Sequence, residues 1–157
     1  MVVRVKGDIL NAEENIICHQ VNCQGFMNKG LAKEIRKKWP NVYVEYKELV
    51  DKVKNKSLLL GTCQIVMVQS IESHKFVSNL FAQLYFGKGF QTNYNALTGA
   101  LNMVKNFAKE NKYSIALPCR IGCGLAGGDW GIVKSIIHNL LDEIEDVYIY
   151  DLEGNND

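Results

Sequence analysis

The sequence predicts an α/β protein, a three-layer α/β/α sandwich with a mixed, largely parallel six-stranded sheet. Three observations indicate this fold. Six short runs are rich in β-branched residues, four segments between them have helical periodicity, and the last strand, helix and strand form a crossover unit that joins neighbouring parallel strands. Because 157 residues bury one sizeable core, we expect a single domain over residues 1–152 and a flexible tail at residues 153–157.

The elements follow from local patterns. Apolar, β-branched runs predict strands at Val2–Val5, Ile16–Val21, Leu58–Val68, Lys75–Ala82, Ser114–Leu117 and Val147–Leu152. Apolar residues spaced three and four apart predict helices at Leu31–Lys38, Val42–Lys54, Tyr94–Lys109 and Trp130–Ile144. Asp129 directly precedes the last helix and is the residue type expected at an N-cap.

Composition excludes several classes of protein. A net charge of +1 gives no overall electrostatic reason to bind nucleic acid or an anionic membrane. The N-terminus lacks the pattern of a signal peptide and no run is long enough to span a bilayer, so we expect a cytoplasmic monomer. The five cysteines form no CxxC pair, which favours reduced thiols over disulfides or a zinc site. We expect neither a metal nor a cofactor.

The segment "PCRIGCGLAGGDWG" places four glycines between a predicted strand and a predicted helix. Gly122, Gly124, Gly127 and Gly128 allow the backbone to approach a ligand closely, and the N-terminus of the following helix is expected to add free N–H groups. A second glycine-containing turn, with Gly25 and Gly30, also joins a strand to a helix. Two such turns at the carboxyl ends of strands predict a site for a diphosphate.

A dinucleotide-binding domain is the main alternative. "GCGLAG" satisfies GxGxxG, and Asp151 ends the next strand near the position of a ribose-binding acid. A Rossmann domain, however, places this unit first and adds further strands after it, whereas here only one strand follows. A nicotinamide-dependent oxidoreductase is therefore ranked well behind a diphosphate-binding protein of another fold.

Four stretches carry a family resemblance: "VKGDIL", "HQVNCQGFMNKGLAKEIRKKWP", "VSNLFAQ" and "LPCRIGCGLAGGDW". Together they closely resemble the macro domain family, and within it the branch of the terminal ADP-ribose protein glycohydrolase with its bacterial and phage relatives. The resemblance implies that ADP-ribose, free or attached to protein or nucleic acid, binds across the top of the sheet. It implies a hydrolase that removes ADP-ribose from macromolecules or cleaves ADP-ribose esters or the 1″-phosphate, or alternatively a reader without turnover.

The resemblance also implies particular site residues. Asp8 and Ile9 correspond to positions at the adenine, with Tyr150 and Leu152 flanking it. Asn22 corresponds to a polar position facing the distal ribose. The loop around the distal ribose and diphosphate contains Gly25, Gly30, Leu31 and Ala32. The diphosphate loop contains Ile121, Gly122, Cys123, Gly124, Leu125, Ala126 and Gly127.

The chain departs from this branch at its catalytic positions. The branch uses a lysine nucleophile, where this chain has Gln83, and an aspartate, where it has Ala126. The catalytic candidates are accordingly Asn22, Gln83 and Lys29, with Lys88 on a glycine-flanked loop as a further lysine. A water positioned by Asn22, the loop backbone and the ligand's phosphate is the route that needs no titratable side chain.

The remaining titratable groups are weaker candidates. His19 lies on a predicted buried strand and is expected to be a core residue, whereas His74 and His138 are expected at the surface. Cys123 lies in the diphosphate loop, where a helix N-terminus is able to depress the pKa of a thiol.

Overall fold

The computed structural model describes residues 1–69 and 71–154. The strands are β1 (Val2–Lys6), β2 (Ile16–Asn22), β3 (Cys63–Met67), β4 (Phe76–Gln83), β5 (Ile115–Pro118) and β6 (Val147–Asp151). The helices are α1 (Gly30–Lys38), α2 (Pro40–Lys52), α3 (Tyr94–Asn111) and α4 (Trp130–Leu141), with short 3₁₀ turns at Ile9–Asn11, Lys56–Leu58 and Ile71–Ser73. Residues 155–157 of the predicted tail lie outside the described residues.

The six strands form one sheet in the order β1-β6-β5-β2-β4-β3. All neighbouring pairs are parallel except β3 and β4, which are antiparallel. The predicted mixed, largely parallel sheet is therefore confirmed. The carboxyl ends of β1, β6, β5, β2 and β4 lie at the same edge of the sheet, and the loops that follow them are brought together there.

Both faces of the sheet are covered, because neighbouring residues on each central strand point to opposite faces. Ile16 and Leu80 belong to a core shared with α3 and α4. Ile17 and Phe81, one position further along, belong to a second core shared with α1 and α2. The predicted three-layer sandwich is thus confirmed, and the central strands are held rigidly from both sides.

The largest difference from prediction lies in the segment expected to be a strand at Leu58–Val68, since the strand begins only at Cys63. Asn55 caps a 3₁₀ turn by accepting a hydrogen bond from Ser57 N at 3.1 Å. Gly61 then adopts a positive φ of 90°. The apolar run is buried partly through Leu59, which is 6% exposed, without entering the sheet. Helix ends otherwise differ by a few residues; α4, for example, ends at Leu141 rather than Ile144.

No helix within the described residues has both the length and the hydropathy needed to cross a bilayer.

Candidate functional site

Three loops meet at the carboxyl ends of the central strands. They are the first glycine loop (residues 23–29), which follows β2, the β4–α3 loop (residues 84–93), and the second glycine loop (residues 119–128), which joins β5 to α4. Cys23 N donates to the carbonyl of Leu84 at 3.2 Å, and Gln91 N donates to the carbonyl of Ala126 at 2.8 Å. The β4–α3 loop is therefore hydrogen-bonded to both glycine loops.

The second glycine loop presents unused backbone donors. Some of its amides are bonded within the loop, as where Gly128 N donates to the carbonyl of Gly122 at 2.8 Å. Across the described part of the chain, no acceptor is found for the amides of Gly122, Gly124, Leu125 and Ala126. Backbone N–H groups grouped in one turn are well suited to hold a phosphate.

The glycines of this loop have different structural requirements. Gly122 has a φ of 73°, and a Cβ at this position would lie 2.6 Å from Gln20 Oε1. A Cβ on Gly128 would lie 2.6 Å from the carbonyl oxygen of Gly122. Gly124 is exposed, has no positive φ, and has no heavy atom within 4 Å of an added Cβ. The fold therefore requires Gly122 and Gly128, whereas nothing in the protein explains a glycine at position 124.

The two helices that follow the glycine loops have different N-termini. Helix α4 is capped by Asp129, whose carboxylate accepts from Ile132 N at 3.2 Å, so the predicted N-cap is confirmed. This cap uses one of the first amides of α4, whereas those of Trp130 and Gly131 have no acceptor in the described structure, so the expectation that α4 adds free N–H groups stays a prediction. The N-cap of α1, Lys29, makes no side-chain capping bond. The amides of Gly30, Leu31 and Ala32 also have no acceptor in the described structure, so the N-terminus of α1 is the more open of the two.

Asn22 is buried and its amide is engaged within the protein. Its Oδ1 accepts from Gln24 N and from the hydroxyl of Tyr46, both at 2.9 Å, and its Nδ2 donates to the carbonyl of Phe26 at 2.8 Å. Asn22 thus shapes the first glycine loop, including Gly25, whose N–H donates to the Tyr46 hydroxyl at 3.1 Å. One Nδ2 hydrogen is left for a ligand or a water.

Gln83 is held by a chain of polar side chains. Its Oε1 accepts from Gln20 Nε2 at 2.9 Å, and its Nε2 donates to the carbonyl of Tyr85 at 2.8 Å. Gln20 Nε2 also donates to Thr92 Oγ1 at 2.9 Å, and Thr92 donates to the carbonyl of Gly122 at 2.6 Å. The chain links the end of β4 to the second glycine loop. Gln83 therefore fixes loop geometry, and an amide is not a nucleophile at neutral pH.

The positions assigned to adenine lie near the edge strand β1 and its neighbour β6. Asp8 caps the Ile9–Asn11 turn by accepting from Leu10 N at 2.9 Å, and Ile9 is buried. The ring of Tyr150 packs against Gly7, and a Cβ added to Gly7 would lie 3.4 Å from that ring. Burial and a hydrogen bond to Glu14 raise the pKa of the Tyr150 phenol. Leu152 is 69% exposed, so an apolar side chain remains available beside this corner.

The other predicted side chains are placed as follows. Ile121 and Ala126 are buried, whereas Leu125 is 69% exposed, and Lys29 and Lys88 are both exposed. Asp151, the acid of the dinucleotide alternative, pairs with Arg4, which lowers its pKa, and accepts from Glu153 N at 3.1 Å. That carboxylate is therefore already engaged within the protein.

The thiol and imidazole predictions have different outcomes. A depressed pKa at Cys123 is contradicted, because burial raises the pKa of this thiol to about 11 despite the nearby Arg120. His19 is confirmed as a core residue: it is 1% exposed, it bonds Asn79, and burial lowers its pKa to about 4. His74 is exposed, and His138 is half-buried on α4 beside Asp142.

Three residues that organise the site were missed by the sequence analysis. Gln20 and Thr92 connect the loops, and Tyr46 holds Asn22 from helix α2. The only sequence signal was that Gln20 is one of the few polar residues of a mostly apolar strand; nothing local identifies its partners. No group of three His, Cys, Asp or Glu side chains within residues 1–69 and 71–154 is arranged to hold a metal.

A separate cavity of about 420 Å³ lies near the amino-terminal ends of the strands, lined by residues that include Ala12, Trp39, Lys38 and Lys75. The ammonium of Lys75 donates to the carbonyls of Ala12 and Glu14, and that of Lys38 to the carbonyl of Leu10. None of the predicted site residues lines this cavity.

Known proteins of similar sequence and structure agree with this geometry. The chain is 30% identical over 155 residues to the DNA ADP-ribosyl transferase-DNA ADP-ribosyl glycohydrolase fusion protein of Thermosipho africanus, covering 90% of this chain and 39% of the relative. The chain thus spans about two fifths of the length of that curated relative.

Solved structures give the same picture. A Bacteroides thetaiotaomicron protein of unknown function superposes with a TM-score of 0.84 at 29% identity, covering 97% of this chain and 98% of that one. Thermosipho africanus DarTG, solved in complex with ADP-ribose, superposes with a TM-score of 0.80 at 23% identity, covering 99% of this chain and 43% of that one. The second likeness shows the shared fold. The family model for the Macro domain matches residues 18–137, most of the chain, and together with the sheet order and paired glycine loops this establishes that the chain belongs to the macro domain family.

Proposed function

We propose that this macro domain binds ADP-ribose across the carboxyl ends of its parallel strands and hydrolyses the bond between ADP-ribose and a carrier. The supporting observation is the set of unpaired backbone donors: four amides in the second glycine loop and three at the N-terminus of α1. Backbone N–H groups hold an anion without fixed side-chain charge, which suits a chain with a net charge of +1. The adenine lies at Asp8, Ile9, Tyr150 and Leu152, and the distal ribose near Asn22.

The hydrolysis proceeds without a lysine at the end of β4. Gln83 is bound to Gln20 and to the carbonyl of Tyr85, and Ala126 offers no proton. We therefore assign the attack to a water held by Asn22 Nδ2 and the loop amides. For a carrier on the anomeric carbon, the water oxygen bonds to that carbon, the carbon–carrier bond breaks with its electron pair leaving on the carrier, and the water's proton passes through a phosphate oxygen of the ligand to the carrier. For an O-acyl ester, the same water instead bonds to the acyl carbon, and the ribose oxygen leaves and takes up the proton. Lys29 and Lys88, both exposed on site loops, are alternative cations for stabilising the leaving group.

The identity of the carrier is a separate part of the proposal. The candidates are protein, nucleic-acid ends, an O-acyl ester and the 1″-phosphate of ADP-ribose. ADP-ribosylated DNA is tested first, because the Thermosipho africanus relative is named for a DNA ADP-ribosyl glycohydrolase activity.

A reader without turnover is the second candidate function. The observation that favours it is the replacement of the lysine and aspartate positions by Gln83 and Ala126, with Gln83 committed to structural bonds.

One experiment separates the two functions. The protein is incubated with ADP-ribosylated single-stranded DNA, ADP-ribosylated protein, O-acetyl ADP-ribose and ADP-ribose 1″-phosphate, and released ADP-ribose is measured alongside calorimetric binding of ADP-ribose. Release that disappears in the Gly124→Val variant supports the hydrolase. Binding without release from any of the four supports the reader, and absence of binding contradicts the proposal as a whole.

A further inference from the structure

The exposed aromatic residues are confined to one part of the molecule. The chain has six phenylalanines, seven tyrosines and two tryptophans, and all lie in the described residues. Only four are exposed: Phe26 (45%), Tyr85 (60%), Phe86 (52%) and Phe90 (61%). All four belong to the first glycine loop or the β4–α3 loop. Exposed aromatic rings grouped beside a binding site indicate an interaction surface, and we call these four residues the aromatic rim.

The aromatic rim is continuous with the proposed ADP-ribose site. The ring centroids of Phe26 and Phe86 are 4.7 Å apart and their planes are tilted by 53°, so the two rings join the first glycine loop to the β4–α3 loop. Phe90 lies next to the second glycine loop, since a Cβ added to Gly127 would be 3.4 Å from the Cα of Phe90. A carrier attached to the distal ribose therefore leaves the site past these rings.

The charged side chains of the three site loops have one sign, and the nearest acidic residue in the chain is Asp129, directly after the second glycine loop. The first glycine loop, the β4–α3 loop and the second glycine loop contain Lys29, Lys88 and Arg120 but no aspartate or glutamate, although the chain has 17 acidic residues elsewhere. An anionic partner is favoured by this arrangement. A second copy of the chain is disfavoured, because a twofold contact would place the same cationic loops against each other.

We propose that the aromatic rim binds the bases of a single-stranded nucleic acid on either side of the ADP-ribosylated nucleotide. This inference rests on the proposed function and adds to it a surface for the carrier. Exposed rings beside cations form stacking platforms for bases, while the cations contact the backbone phosphates. A duplex keeps its base faces stacked inside the helix, so only a single strand presents them to these rings.

The test compares binding of a carrier strand with binding of free ADP-ribose. The strand is an ADP-ribosylated DNA of about ten nucleotides, within the range of single-strand site sizes covered by one small domain. Phe86→Ala and Phe90→Ala are each expected to weaken strand binding by about 5- to 150-fold in fluorescence anisotropy, from a stacking loss of about 1–3 kcal/mol. Phe86→Trp retains a ring and is expected to retain strand affinity. Leu58→Ala, at a 70% exposed apolar residue outside these loops, is the matched control.

The outcomes distinguish failure of the inference from failure of the proposed function. Calorimetric affinity for ADP-ribose is expected to be unchanged in the two alanine variants. If the wild type does not bind ADP-ribose, the proposed function fails. If ADP-ribose binds but the strand binds no more tightly, or Phe86→Ala leaves strand binding intact, the aromatic rim inference is overturned. An equal loss with an ADP-ribosylated peptide, or a dimer in light scattering that Phe86→Ala dissociates, overturns it in favour of a protein carrier or of self-association.

Discussion

Replacing Gly124 by valine tests the role of the backbone donors, because the structure separates binding from folding at this position. An added Cβ meets no heavy atom within 4 Å beyond its chain neighbours and the backbone has no positive φ, so the free energy of unfolding is expected to change by less than about 1 kcal/mol. The side chain instead fills the space in front of the loop amides. A hydrogen bond to a charged phosphate contributes about 1.5–3 kcal/mol, so losing two of them weakens ADP-ribose binding by about 10²- to 10⁴-fold.

The measurement combines calorimetry with thermal unfolding. The Gly124→Val variant is expected to lose ADP-ribose affinity while its Tm falls by less than roughly 4 °C. Gly128→Val is the contrasting variant: its Cβ would lie 2.6 Å from the carbonyl of Gly122, so overpacking costs about 1–3 kcal/mol of stability. Wild-type affinity in a folded Gly124→Val protein would refute the assignment of this loop to the diphosphate.

Three further predictions follow from individual side chains. Gln83→Lys is expected to gain ADP-ribose release from ADP-ribosyl glutamate or DNA ends, measured against wild type; no gain in a variant that still binds ADP-ribose would show that more than the nucleophile is missing. His19 has a pKa of about 4 in the fold against about 6.5 when unfolded, so the unfolded state binds the extra proton first. The contribution of neutral His19 to the free energy of unfolding is therefore fully present above pH 6.5, and the free energy of unfolding falls by about 3 kcal/mol as the pH drops to 4. Denaturant titrations at several pH values are expected to show this fall for the wild type and not for His19→Gln. Cys123, with a pKa of about 11, is expected to react with iodoacetamide at pH 8 far more slowly than glutathione does. Mass-spectrometric labelling at the glutathione rate would contradict the raised pKa.

The sheet was predictable where burial on both faces makes a strand mostly apolar. Ile16–Asn22 and Phe76–Gln83 are such strands although each contains polar residues, and their predicted positions were correct within a residue or two. The same signal misled at Leu58, because that residue ends a 3₁₀ turn with no buried side chain and is itself 70% exposed. An apolar run alone therefore does not predict a strand, since the pairing partners decide whether the segment enters a sheet.

The candidate site was predictable to the extent that it is local. Glycines between a strand and a helix indicated the two loops, and Asp129 indicated the cap of α4. The contacts that set the loop geometry are not local: Gln20 meets Gln83 across 63 positions, and Thr92 meets Gly122 across 30. Asn22 illustrates the limit, since the sequence suggests a ligand contact and only the fold brings Tyr46 to its Oδ1.

The hydrogen bonds between the β4–α3 loop and the second glycine loop have a thermodynamic consequence. The amides of Gln91 and Thr92 share the carbonyl of Ala126, and the Thr92 hydroxyl bonds Gly122, so neither loop shifts without disturbing the other. On the proposed function, binding of a polymer carrier at one loop and of ADP-ribose at the other would therefore be linked equilibria. If a bound polymer raises the affinity for the nucleotide by some factor, the bound nucleotide raises the affinity for the polymer by the same factor. Hydrolysis, as proposed, would break the covalent bond between the nucleotide and its carrier, and each product would then bind more weakly than the intact substrate.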